Sequence, residues 1–326
     1  MRWYLKNKKR NTLIYSAYFV LSTLVFSCVN SNQIKQGNDK VGIELVVLGT
    51  IQDAGSPQIG CEKKCCKKLL SQGVSERMVV ALGAVDHDTK QQYLFEATPD
   101  FPFQLHHLQQ VSNYSELPNG IFITHAHIGH YTGLMHLGKE AMNSKGVKVY
   151  TMKGMRKFLT QNGPWDQLIS NANIDLVNLE ASKEIILNKS LSVTPFLVPH
   201  RDEYSETVGF KIKGKDKTAL FIPDIDKWNK WGQSIIKEIK KVDYAFIDGT
   251  FYSGVEIGHR NIAEIPHPFI EESIGLFEEL SLQERNKVYF IHYNHTNPVL
   301  DTESKACKKI QDKGFNLARK NDRFKL

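Results

Sequence analysis

His125-Ala126-His127-Ile128-Gly129-His130 places three imidazoles in six residues, directly after the apolar run Gly120–Ile123. Packing gives no reason for such a cluster. Neutral imidazole is the commonest nitrogen ligand for zinc. Alternate residues on a loop leaving a strand can aim two rings at one point. Further chemical residues follow other strand-like runs: His200 after Leu191–Val198, Asp224 after Ala219–Ile222, and His292 at the end of Lys287–Ile291. Loops leaving strand ends at one edge are where a rigid scaffold converges ligands.

The stretch from Thr124 to His130 resembles the His-x-His-x-Asp-His signature of the metallo-β-lactamase superfamily. That resemblance implies an α/β fold, a four-layer αββα sandwich. It also implies His200 as the third histidine, Asp224 as the bridging aspartate and His292 as the final histidine. Within the superfamily the chain is similar to the pyrroloquinoline-quinone biosynthesis protein B (PqqB) branch. The similarity rests on Val47-Leu48-Gly49-Thr50, Pro57-Gln58, a cysteine cluster, Ala97-Thr98-Pro99-Asp100, Asp248-Gly249-Thr250-Phe251 and the segment His292 to Pro298. That branch is cytoplasmic and does not keep the full histidine triplet found in this chain.

Gly129 stands where the signature has its aspartate. The implied first zinc site keeps His125, His127 and His200, three ligands with an open position, as in catalytic zinc sites. The second keeps His130, His292 and a shared Asp224 but lacks its aspartate. It is expected to be weaker or to take another metal; iron suits the same ligands. Zinc lowers the pKa of bound water to about 7 and polarises a carbonyl or phosphoryl oxygen. Asp224 would orient that water, accept its proton or bridge two ions. His130 and His292 would bind the second ion or move protons.

Other residues carry weaker claims. Asp100 ends Ala97-Thr98-Pro99-Asp100 and reads equally as an outer carboxylate holding a histidine or as a turn residue. Asp53-Ala54-Gly55 reads as a plain turn. His295, three residues after His292, is a candidate acid or substrate donor. Arg201 could hold an anionic group or pair with Asp202 or Glu203. His259 and His267 are candidate substrate contacts. Cys61, Cys65 and Cys66 suit a disulfide or a structural metal corner, without an evident fourth ligand. Cys307 is expected to be a buried small hydrophobe.

The elements that must position these residues alternate. Strand-like runs are Ile43–Leu48, Met78–Val85, Tyr93–Glu96, Gly120–Thr124, Val147–Thr151, Leu191–Val198, Val208–Ile212, Ala219–Ile222, Tyr244–Ile247 and Lys287–Ile291. Helical periodicity appears at Thr132–Met142, Gly154–Gln161, Lys227–Lys240, Pro268–Leu280 and Glu303–Lys313. Strands then helices, repeated once, suit two facing sheets with helices outside.

The chain opens with a basic stretch, Arg2, Lys6, Lys8, Lys9 and Arg10, and an apolar run, Leu13–Ser27. That run is shorter than the roughly 20 residues of a spanning helix. Ser27-Cys28 then resembles a bacterial lipoprotein signal, although Phe26 stands where a small residue is usual. The expectation is a leader over 1–27, a lipidated Cys28, a polar tether over 28–40 and one metallo-β-lactamase-like domain over 41–326. An uncleaved anchor is the alternative. Either places the domain outside the cytoplasm, on the periplasmic side, with the membrane met only through the anchor.

The net charge of +7 falls to +2 without residues 1–27, which hold five Lys/Arg and no acid. A nearly neutral domain gives no electrostatic case for nucleic acid. The expected function is zinc-dependent hydrolysis of a small ester, amide, lactone or phosphodiester. The alternatives are an iron-dependent, oxygen-using or cofactor-biosynthesis role like that of the branch, and a non-catalytic binding protein on the same fold.

Overall fold

The computed structural model describes residues 42–72, 76–258 and 264–326. The leader, Cys28, the tether and His259 lie outside the described residues.

Two seven-stranded sheets form the centre. The first contains β1 (Ile43–Gly49), β2 (Ala81–Asp86), β3 (Gln91–Phe95), β4 (Gly120–Phe122), β5 (Val147–Thr151), β6 (Ile174–Asn178) and β14 (Arg323–Lys325), in the order β14-β1-β2-β3-β4-β5-β6. The second contains β7 (Ile185–Ile186), β8 (Ser192–Leu197), β9 (Val208–Lys213), β10 (Thr218–Ile222), β11 (Tyr244–Asp248), β12 (Val288–Ile291) and β13 (Asn316–Leu317), in the order β13-β12-β11-β10-β9-β8-β7. Helices are α1 (Lys64–Gln72), α2 (Phe101–Ser112), α3 (Ile128–Tyr131), α4 (Lys153–Gln161), α5 (Asp166–Ser170), α6 (Ile235–Lys240), α7 (Ile270–Leu276), α8 (Leu282–Arg285) and α9 (Lys305–Asp312).

Three apolar clusters explain the layering. Between the sheets, Phe95, Phe122, Phe210, Phe221 and Phe246 pack with Ile43, Leu45 and Val47. Outside the first sheet, Phe101, Leu105 and Leu108 of α2 and Met155 and Leu159 of α4 cover Val46, Leu94 and Val149. Outside the second, Ile235 and Ile239 of α6, Ile270 and Ile274 of α7 and Ile310 of α9 cover Leu220, Ala245 and Phe290. This is the four-layer αββα sandwich. Buried parallel strands such as β10, β11 and β12 read as continuous apolar runs because both faces meet protein.

Several expected helices are shorter. Thr132–Met142 is a 3₁₀ turn over Thr132–Leu137. Gly133 packs against the backbone of Ala97 and Thr98, and its N–H donates to Ala97 O at 2.8 Å. Lys227–Lys240 breaks after a 3₁₀ turn at Trp228–Lys230. There Trp231 donates from Nε1 to Leu197 O, and Ser234 caps α6. Helix α2 was not read from sequence, although Phe101, Leu105 and Leu108 form its buried stripe.

Candidate metal centre

Strand ends deliver the chemical residues to one edge. Beyond β4, His125 and His127 leave the strand and His130 sits in α3. Beyond β8 comes His200, beyond β10 Asp224, and beyond β12 His292. Four donor groups, His125, His127, His200 and Asp224, each offer one atom within 4.8 Å of the others. His127 Nδ1 lies 2.9 Å from His125 Nε2 and 3.2 Å from His200 Nε2. Asp224 Oδ2 lies 3.2 Å from His200 Nε2 and 3.5 Å from His125 Nε2.

The outward nitrogen of each ring has its own partner. His125 Nδ1 lies 2.9 Å from Thr124 Oγ1, which itself donates to Glu96 Oε1 at 2.6 Å. His200 Nδ1 lies 3.3 Å from Asp226 Oδ1, and His127 Nε2 lies 3.2 Å from Glu203 Oε2. Such outer partners fix the tautomer and aim the other nitrogen inward.

A second group shares Asp224 and brings in Asp53, His130 and His292, again within 4.8 Å. Asp53 Oδ1 lies 2.9 Å from His130 Nε2 and 3.2 Å from His292 Nε2. The turn reading of Asp53 is therefore incomplete, and so is the expectation of a second site without its own carboxylate. The role offered for Asp100 also needs correction. Its carboxylate accepts from Val79 N at 2.7 Å and, among the described residues, meets no histidine. Glu96 holds His130 instead, Oε1 to Nδ1 at 3.1 Å. Glu96 and His292 both carry positive φ, 83° and 69°. Such backbone costs on the order of 1–3 kcal/mol and concentrates at functional sites.

A third group joins His267 and Asp248 to Asp224 and His292. His267 Nδ1 lies 2.9 Å from Asp248 Oδ2 and 3.2 Å from Asp224 Oδ1. Asp248, seen in sequence only within a resembling segment, is fully buried at the end of β11.

The electrostatics divide the imidazoles. Burial, aided by neighbouring imidazoles, holds His125 and His127 below the ordinary value. Burial also opposes charge on His130, yet Asp53 and Glu96 lift it well above. His200 rises to about 9 against burial because Asp224 faces it. Asp248 and Asp224 likewise lift His267. Against burial, His130 and His292 hold Asp53 well below the usual carboxylate range; His200 and His267 do so for Asp224. In each of these groups the inward nitrogens and carboxylate oxygens converge within 4.8 Å of one another. The donor set therefore fits one or two cations of the zinc or iron class.

Arg201 is exposed, and its guanidinium lies 3.8 Å from Glu203. His295 is not with the catalytic group. It lies with Cys61, Cys65 and Cys66, one donor atom of each within 4.8 Å of the others, and so offers the fourth donor that the sequence left unidentified. The four described cysteines, these three and Cys307, are free thiols rather than disulfides. Cys66 Sγ accepts from Gln58 N at 3.3 Å, and burial pushes its thiol up to about 11. Cys307 is buried.

This fold and this edge of histidines and carboxylates define a class. Residues 91–293 match the model of the beta-lactamase superfamily domain, and the chain belongs to that superfamily. It has the metallo-β-lactamase fold and is similar to PqqB proteins. Coenzyme PQQ synthesis protein B of Gluconobacter oxydans (strain 621H) is 26% identical over 317 residues, covering 87% of this chain and 99% of that protein. The crystal structure of Zn(2+)-bound PqqB from Methylobacterium extorquens superposes with a TM-score of 0.72 at 21% identity, covering 87% of this chain and all of that one. A diphosphatase of the PhnP family superposes with a TM-score of 0.58 at 18% identity, over 86% and 96% of the two chains.

Proposed function

We propose that the protein is a zinc-dependent hydrolase of a small substrate, with a phosphodiester favoured over an ester, amide or lactone. The observation that carries this reading is Asp224. It belongs at once to the His125–His127–His200 group, the Asp53–His130–His292 group and the Asp248–His267 pair. The two groups joined by Asp224 would hold one cation each, and the chemistry such ions supply when bound is to polarise a phosphoryl oxygen and to acidify water.

The residues divide the remaining work. Asp226, Glu203 and Thr124 hold the first-site rings; Glu96 holds His130. Asp224, common to the three groups, would hold the cations through Oδ2, while its Oδ1 faces His267 Nδ1 at 3.2 Å. His267, kept protonated by Asp248 and Asp224, uses Nδ1 to face those carboxylates and so has Nε2 to donate to the leaving oxygen.

Zinc-reconstituted protein should turn over a chromogenic phosphodiester such as bis(p-nitrophenyl) phosphate. His127→Ala should lower kcat/KM by more than about 100-fold, the upper end for losing an outer partner of a ligand. Turnover unchanged in that variant sinks the reading. A second reading is a cofactor-biosynthesis role, supported by the similarity to coenzyme PQQ synthesis protein B over 87% of this chain; the iron-dependent, oxygen-using chemistry expected from the sequence belongs to it. It predicts activity only with iron and dioxygen.

The sequence further supports export and a lipid anchor at Cys28, a small-molecule substrate and no nucleic-acid partner. Among the described residues no helix is long and apolar enough to cross a membrane. A globomycin-sensitive mass shift at Cys28 tests the anchor.

A further inference from the structure

The structure assigns the second-site carboxylate to Asp53, with Gly129 kept small to admit it; this rests on the metal-centre reading above. A Cβ at Gly129 would lie 2.5 Å from Asp53 Cα and 2.6 Å from its Oδ1. Gly129 is not among the glycines with positive φ. Glycine is required there for space, not for backbone conformation. The volume into which a signature side chain would project is filled by the Asp53 carboxylate, reaching in from another part of the chain.

The surrounding contacts aim the same way. His130 Nδ1 is engaged by Glu96, and His292 Nδ1 lies 2.8 Å from Thr250 Oγ1. Each ring therefore turns Nε2 inward, and both Nε2 atoms meet Asp53 Oδ1 at 2.9 and 3.2 Å. Backbone pairing places the carboxylate. Gln52 N donates to Tyr293 O at 2.9 Å, and Tyr293 N donates to Thr50 O at 2.7 Å. Asp53 and His292 are thus delivered side by side from β1 and β12, 239 residues apart. An ion pair alone would leave two buried imidazoles sharing one oxygen; a cation there satisfies all three atoms with one charge.

The test is cation binding by the full chain, read by equivalents retained after dialysis and by the visible spectrum of the cobalt form. Asp53→Asn and Asp53→Ala should each retain one equivalent fewer than wild type. The second cation should bind about 100-fold more weakly or worse, beyond the usual cost of an outer partner. The cysteine corner cancels in this difference. The cobalt spectra supply the readout a purely structural role would not move: both variants should keep the first-site bands and lose those of the second. Retention of the wild-type count by both variants overturns the assignment of Asp53. A wild type that holds no cation sensitive to His127→Ala overturns the metal-centre reading itself.

Discussion

His295 lies three residues after His292, yet the two imidazoles serve different clusters: His292 meets Asp53, and His295 meets Cys61, Cys65 and Cys66. The same two segments, one after β1 and one after β12, therefore feed both the catalytic edge and the cysteine corner. Thr296 on the second segment lies 3.3 Å from Glu256, tying in a third loop.

A cation in the corner should consequently matter beyond its own four ligands. Cys66→Ser is expected to lose one bound equivalent and to destabilise the protein by on the order of 3 kcal/mol, as losses of metal do. It should also weaken the second catalytic cation, because Asp53 and the cysteines share one segment. Metal counting and denaturant unfolding check both. A variant that keeps every equivalent and its melting temperature removes the corner from the account.

Glu96 touches no inward nitrogen but orients His130 and, through Thr124, His125. Glu96→Gln should reduce cation affinity by roughly 10–100-fold, the range for outer-sphere partners. Competitive titration with a chromophoric chelator measures it. An unchanged affinity would mean the Glu96 contacts serve packing only.

The acid assigned to His267 gives a pH signature. Its imidazole is lifted well above the ordinary value against burial by Asp248 and Asp224. The donating form is present at low pH and is lost as pH rises through that elevated value. Wild-type kcat should fall on the alkaline side. His267→Ala should lower kcat by about 10²–10⁴-fold and abolish that limb. Asp248→Asn should shift the limb to lower pH, because the main partner of the cation is gone. A profile with the same alkaline limb in both variants refutes the assignment.

Glu256, itself in none of the proposed ligand groups, sets a stability dependence. Burial pushes its carboxyl from 4.5 up to about 7, although it accepts from Tyr252 N and Ser253 N. The folded state therefore binds this proton more tightly than the unfolded one. Below about pH 4.5 both states are protonated and nothing is lost; stability falls as pH rises towards 7 and stays lower above it. Against wild type, Glu256→Gln should gain about 1–3 kcal/mol between pH 5 and pH 8. Parallel unfolding curves at the two pH values test the sign.

How much of this could be read along the chain depends on how local each signal is. His125, His127 and His130 announce themselves because three ligands share one loop, and His200, Asp224 and His292 each close an apolar run. The strands were legible for the same reason: β10, β11 and β12 are buried on both faces, so their residues are apolar in sequence. Helix α2 was harder, since Pro102 stands in its first turn and the exposed Phe103 blurs the period of its apolar stripe. β14 carries a single buried residue, Phe324, and becomes a strand only because β1 offers it an edge.

The sequence by itself pointed to the fold class, through the alternation of strands and helices, and to the residues proposed as ligands, through the resemblance carried by Thr124 to His130. Only the tertiary structure decided that Asp53 stands beside His130, that Glu96 rather than Asp100 holds it, that Asp248 faces His267, and that His295 completes the cysteine corner. Those relations depend on which strand ends become neighbours. Side chains such as Asp53 and His292, 239 residues apart, meet because hydrogen-bonded backbone brings them together, and no pattern within either segment encodes its partner.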